Sequence, residues 1–182
     1  MLAAGESSRL GEPKQLVRLN GECMLERALR IADEAGCHPV FAVLGANADA
    51  VRAGSDLSGA KVIVNAEWRE GMASSIRAGV RAAVDAGCDA VVLMACDQPA
   101  VSTVHLKALM DEGKGVVASS YAGRRGVPAF FAAEHFAALQ ELKGDAGARQ
   151  LLRAAAAVAL PDGKFDVDSP EDLQRMRARF GE

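Results

Sequence analysis

The sequence predicts an α/β fold with a mainly parallel sheet flanked by helices. Short β-branched apolar runs alternate with longer stretches patterned as helices. Those runs are apolar throughout, as strands must be when helices cover both of their faces. Composition agrees: aromatics are 4% of the 182 residues while alanine is abundant, which favours alanine-rich helices over an all-β sandwich.

Taken in order, "MLAA" reads as the end of a strand, and Gly5 opens a polar loop that runs to Lys14. "MLERALRIADEAG" is the first helix, then "HPVFAVLGA" a strand, "ADAVRAGS" a helix and "KVIVNA" a strand. In "SSIRAGVRAAVDAG" and the residues before it, Met72, Ile76, Val80 and Val84 recur at the spacing of one helix face. "DAVVLMA" and "GVVASSY" are strands around the helix "VSTVHLKALMDEG". Gly36, Gly87 and Gly113 follow helical patterns where a C-terminal cap belongs.

Beyond these, "YAGRRGVPAFF" reads as a turn leading into a strand, and "AEHFAALQEL" and "GARQLLRAAAAV" as helices. "DVDSPEDLQRMRARF" carries a helix start: Ser169 as N-cap, Pro170 as first helical residue, Glu171 and Asp172 in the first turn. There is no linker or repeat, so residues 1–182 form one domain.

Several function classes drop out. A net charge of −3 argues against nucleic acid or an anionic membrane as the main partner, so any cationic site is local. No apolar run reaches the ~18 residues of a membrane span. "MLAAG" has neither the basic nor the long apolar region of a signal peptide. Cys23, Cys37, Cys88 and Cys96 are dispersed, without zinc spacing, and fit the reduced thiols of a cytoplasmic protein.

The first loop is where chemistry concentrates. In parallel sheets, ligands sit at the carboxyl ends of the strands. Gly5 and Gly11 let backbone approach a ligand and expose N–H groups that suit phosphate oxygens. Arg9 offers a planar fork and Lys14 a mobile point charge. The Walker pattern is absent, because Glu12 follows Gly11, and so is GxGxxG.

The spacing L-A-A-G-x3-R-x-G-x2-K resembles the signature of the molybdenum-cofactor nucleotidyltransferases, within the wider sugar-nucleotide transferase fold. "NAEWREGMASS", "DQP", "RRGVPAFF", "GDAGAR" and "DVDSPEDL" match in order over nearly the whole chain. They look like the cytidylyltransferase branch, since the guanylyl branch typically reads LAGG where this chain has Leu2-Ala3-Ala4-Gly5, and commonly lacks the glutamine of Asp97-Gln98-Pro99.

The resemblance implies a Rossmann-like nucleotidyltransferase domain that transfers CMP from CTP to the phosphate of molybdopterin or molybdenum cofactor and releases pyrophosphate. Arg9, Lys14 and Asp97 would be catalytic. Leu2, Ala3, Ala4, Gly5, Gly71, Met72, Ser74, Ser75 and Gln98 would join them in holding the nucleotide. Either serine could instead simply cap its helix. Arg125, Gly126, Pro128 and Arg149 would face the acceptor. Mg²⁺ would sit on Asp97 and a second carboxylate, Asp168 or the alternative Asp166. Both flank Val167, so in extended chain only one easily joins Asp97.

A phosphate monoester is largely dianionic at neutral pH, so the acceptor needs no general base. A molybdenum hydroxylase could receive the product. The rivals are a transferase using GTP or another phosphorylated acceptor, and a non-catalytic protein that delivers the cofactor. In the resembling fold several apolar residues precede the first turn, so the first strand is expected to be truncated and the natural chain to start upstream of Met1.

Overall fold

The computed structural model describes residues 1–181. Three parallel strands, β1 (Leu2–Ala3), β4 (Phe41–Leu44) and β5 (Lys61–Val64), lie in the order β1-β4-β5. Four more follow the order β6-β8-β7-β9: β6 (Ala90–Leu93), β8 (Arg124–Ala132), β7 (Val116–Tyr121) and β9 (Ala156–Ala159). The two groups meet where Leu2 bridges Ala95 in the parallel sense and donates its N–H to the Met94 carbonyl at 2.8 Å. β1 is therefore central, with β4 on one side and the end of β6 on the other. β8 runs antiparallel to both β6 and β7, while β9 is parallel to β7.

Strand alternation divides the core into two layers. Ala42 and Leu44 of β4, Val117 of β7 and Phe130 of β8 pack with α1 (Met24–Glu34) and α4 (Thr103–Asp111). Leu93, Ala118, Ala129 and Phe131 point the other way, against α3 (Met72–Asp85), α5 (Phe136–Gln140) and α6 (Arg149–Leu152). A short α2 (Ala48–Gly54) links β4 to β5. The hairpin β2 (Arg18–Leu19) and β3 (Glu22–Cys23) forms a third cluster with α7 (Pro170–Phe180), in which Leu19, Met24, Val167 and Met176 are buried.

Helix ends follow the local chemistry. Ser169 caps α7 by accepting the Asp172 N–H at 3.2 Å, and Gly36 and Gly87 take positive φ just past α1 and α3. Gly113 does not take positive φ; Gly115 does. Two helical readings need correction. On α3, Ile76 and Val80 are buried, but Met72 and Val84 are 48% and 46% exposed. A four-residue step overshoots the 3.6-residue turn, so the buried stripe drifts to Ala73 and Ala83 at its ends. In "GARQLLRAAAAV" the helix stops at Leu152, and Ala156–Ala159 form β9. Alanine's helix propensity is worth only a few tenths of a kcal/mol per residue over most others, less than pairing with β7 contributes.

Candidate active site

The site is assembled at the carboxyl ends of β1 and β6 from three loops. The first, following β1, is folded on Ser7, a residue with φ 59°. Its carbonyl accepts from Leu10 and Gly11 at 3.0 and 3.3 Å, and its hydroxyl accepts the Lys14 N–H at 3.0 Å. That delivers Lys14 to a single 3₁₀ turn, Lys14–Leu16.

Lys14 Nζ donates to Asp97 Oδ2, and to Asp168 Oδ1 at 3.0 Å. Arg9 donates to the other oxygen of Asp168 at 2.9 Å and is otherwise exposed. Asp97 lies beyond the Ala95 bridge of the β6 strand, and its carbonyl accepts the Val167 N–H at 3.1 Å. That bond, with Val167 buried beneath, pins the Asp166–Asp168 segment beside the first loop.

The electrostatics follow from this crowding. Burial would lower the Lys14 pKa, but Asp97 and Asp168 outweigh it and hold the ammonium above its usual range. Burial opposes ionisation of Asp168 too, yet Lys14 and Arg9 keep it below the ordinary carboxylate range. Asp166 has no such bond. Burial, with the Asp97 and Asp168 charges beside it, pushes its carboxyl up to about 6. The geometry thus pairs Asp168, not Asp166, with Asp97 on one cation.

Ala4 is buried and so close to Gly45 that a Cβ there would lie 2.8 Å from the Ala4 methyl and 2.6 Å from its carbonyl. Gly71 precedes α3 with φ 115°. Both serines of the first turn are turned inward. Asn65 donates to Ser74 Oγ at 2.9 Å and to Ser75 Oγ at 3.1 Å, and Ser74 in turn donates to the Gly71 carbonyl. The Gly144 carbonyl accepts the Ala73 N–H at 3.0 Å, so the "GDAGAR" loop lies against this helix end. Met72 packs over Gly147 of that loop.

Gln98 is also buried and donates to the Gly163 carbonyl at 3.2 Å, which turns it toward the segment that follows β9.

On the opposite side, β8 sorts its two arginines. Arg125 donates to the Arg153 carbonyl at 2.9 Å, away from the carboxylates. Arg124 lies 5.3 Å over the Tyr121 ring and within the field of Asp166. Alternation along a strand sends neighbours to opposite faces, so Arg124 and not Arg125 lies on the side of the carboxylates. Tyr121 donates to the Val127 carbonyl at 3.1 Å, and a Cβ on Gly126 would run into its hydroxyl. Behind Pro128, Ser119 donates to the Pro128 carbonyl at 2.6 Å and pairs with His105 Nε2 at 2.7 Å. The serine proton is committed to the carbonyl, so His105 is the donor. Arg149 opens α6 and is exposed.

Paired carboxylates and cations at the carboxyl edge of such a sheet are the equipment for moving phosphoryl groups. The family described as MobA-like NTP transferase domain matches residues 1–159. The chain belongs to that family.

This MobA-like nucleotidyltransferase is 38% identical to the nicotine blue oxidoreductase of Paenarthrobacter nicotinovorans, over 97% of this chain and 94% of that one. It is 33% identical to the purine catabolism protein PucB of Bacillus subtilis, over 97% and 93%. With a probable molybdenum cofactor guanylyltransferase of Opitutus terrae it shares 30% identity, over 98% and 94%. The crystal structure of Rv0371c from Mycobacterium tuberculosis H37Rv is 34% identical, with a TM-score of 0.83 over 96% of this chain and 94% of that one. A structure of Rv0371C in complex with manganese matches at 29% identity and a TM-score of 0.77, over 98% and 96%.

The donor set of the transferase suits such an ion. Asp97 and Asp168 already close on one cation, the Lys14 ammonium, and hard carboxylate oxygens are what a small divalent metal takes, with phosphate and water completing its shell. Among the described residues no three His, Cys, Asp or Glu side chains gather as a metal site. No described helix is long and apolar enough to cross a membrane.

Ser7, Gln15 and Gly45 are the site-building residues that motif reading passed over. Gly45 could have been found as the residue that closes the β4 run, where loops face the ligand edge.

Proposed function

We propose that this transferase moves CMP from CTP to the phosphate of molybdopterin or molybdenum cofactor, with Mg²⁺ held by Asp97 and Asp168 and pyrophosphate as the leaving group. The observation that carries the reading is the Lys14 ammonium shared by Asp97 and Asp168, with Arg9 on the outer oxygen. An oxygen of the acceptor phosphate forms the new bond to the α-phosphorus as the bond to pyrophosphate breaks, and no general base is needed. Lys14 and Arg9 turn from the carboxylates to the triphosphate and neutralise charge on the departing oxygens. Mg²⁺, when bound to Asp97 and Asp168, would supply further neutralisation of phosphate charge. The Gly71–Ser75 segment offers backbone to the base and ribose, because its hydroxyls are engaged with Asn65 and Gly71. Arg124, Tyr121 and Arg149 form the acceptor side.

The cytidylyl choice rests on Ala4, whose methyl narrows the approach to the Gly45 backbone where a glycine would leave room. A relative named for guanylyl transfer speaks for GTP, and one named an oxidoreductase speaks for a redox reading.

One assay separates them. α-Labelled CTP and GTP are incubated separately with cofactor extracted from a molybdoenzyme, and reduced nicotinamide nucleotides with a dye acceptor. Label entering the cofactor from CTP, with equal pyrophosphate, supports the proposal. Label from GTP alone overturns cytidylyl transfer. Cofactor binding without label transfer marks a delivery protein, and nicotinamide oxidation alone marks a reductase.

A further inference from the structure

Gln15 is 1% exposed, yet it is a polar residue in the same 3₁₀ turn as Lys14. Neighbouring side chains on such a turn diverge by about 120°. Lys14 points out to the carboxylates while Gln15 points in beneath the first loop. Its Nε2 donates to the Ala3 carbonyl at 2.7 Å and to the Gly5 carbonyl at 3.2 Å. An amide nitrogen has two hydrogens, so both are committed. Its Oε1 is buried with no hydrogen-bond partner among the described residues. An orphaned acceptor disfavours the fold, and an apolar side chain of similar length would fill the place without that penalty. The donor end therefore has a purpose beyond packing.

In a trans peptide the N–H of the next residue points opposite to the carbonyl. The cis bonds among the described residues are His38-Pro39 and Val127-Pro128, so the Ala3–Ala4 and Gly5–Glu6 peptides are trans. Drawing the Ala3 and Gly5 carbonyls inward turns the Ala4 and Glu6 N–H groups the other way. Gly5 and Glu6 are exposed, and a Cβ on Gly5 would meet nothing within 4 Å, so this face of the loop is open to a ligand.

We propose that Gln15 is a positioning residue for the nucleotide: it withdraws two carbonyl oxygens from the phosphates and aims the Ala4 and Glu6 N–H groups at them. The inference rests on the nucleotide reading of this loop. Gln15 itself touches no substrate. One turn thus sets the positive charge through Lys14 and the polarity of the backbone through Gln15.

Gln15→Met keeps the length and burial and removes both donors. The expected result is CTP or GTP binding weaker by roughly tenfold or more, the effect of losing charge-assisted hydrogen bonds. Binding of the phosphate-free nucleoside, followed by chemical-shift titration, and KM for the acceptor should stay as in wild type. A merely structural role would weaken nucleoside and triphosphate together and would overturn the proposal. Should the variant fail to fold, wild type alone decides by amide exchange. The triphosphate should slow the Ala4 and Glu6 amides, and the nucleoside should not. A wild type that binds the triphosphate with both amides exchanging as before overturns the Gln15 role alone. A wild type that binds neither triphosphate overturns the nucleotide reading and this inference with it.

Discussion

The two sides of the cleft are built differently. On the proposed nucleotide side, Ser7, Lys14 and Gln15 join backbone and carboxylates in a mesh of hydrogen bonds, much of it shielded from water. On the proposed acceptor side, Arg124, Arg125 and Arg149 are exposed, and behind them Tyr121 bonds the Val127 carbonyl while Ser119, paired with His105, bonds the Pro128 carbonyl. One side presents a preset shape and polarity; the other presents exposed charge on a braced strand. Substitutions on the first should act on turnover and nucleotide affinity, and on the second on acceptor affinity.

The largest effect is expected at Asp97. Asp97→Asn should cut turnover by a factor on the order of 10² or more, as loss of a charge that organises the transition state does. The fold should hold, because the Asp97 backbone bond to Val167 is untouched. Near-normal pyrophosphate release at limiting Mg²⁺ would remove Asp97 from the metal site. Lys14→Ala should lower turnover in the same assay.

Next comes Gly126→Ala, whose methyl would displace Tyr121 from the Val127 carbonyl. KM for the acceptor should rise about tenfold, the scale of one hydrogen bond, with nucleotide affinity unchanged. Equal losses on both substrates would break the division between the two sides.

A smaller effect concerns pH. Burial holds the His105 pKa below its ordinary 6.5, so the folded state keeps it neutral. Below about pH 6.5 the unfolded chain takes up the proton more readily, and stability falls as pH drops through that range. His105→Gln, which retains a donor for Ser119, should lose less Tm between pH 7.5 and pH 5 than wild type does. An identical pH dependence in both proteins would show that the bracing histidine does not titrate.

The smallest effect is on base choice. Ala4→Gly should raise kcat/KM for GTP relative to CTP by a margin worth ~1–3 kcal/mol, the usual reach of steric discrimination. A wild type that prefers GTP would overturn the cytidylyl choice and leave transfer intact.

By itself the sequence determined the local structure. Unbroken β-branched runs became β4, β5, β6 and β7, because such residues suit a sheet covered on both faces. Ser169 and Pro170 started α7 where their own backbone chemistry requires. The positions of Arg9, Lys14 and Asp97 at loop and strand ends were legible for the same reason: strand ends and glycines are local signals.

Tertiary contacts decided the rest. Ala156–Ala159 became a strand because β7 had an open edge, which no propensity of alanine encodes. Arg124 and not Arg125 faced the carboxylates through the register of β8. Asp168 separated from Asp166 only when the Val167 backbone met Asp97 across the sheet. Gln15 carries no local signal, and only the fold sets its amide beneath the Ala3 and Gly5 carbonyls. Such contacts join residues distant in the chain, and their energy exists only once the sheet has brought those residues together.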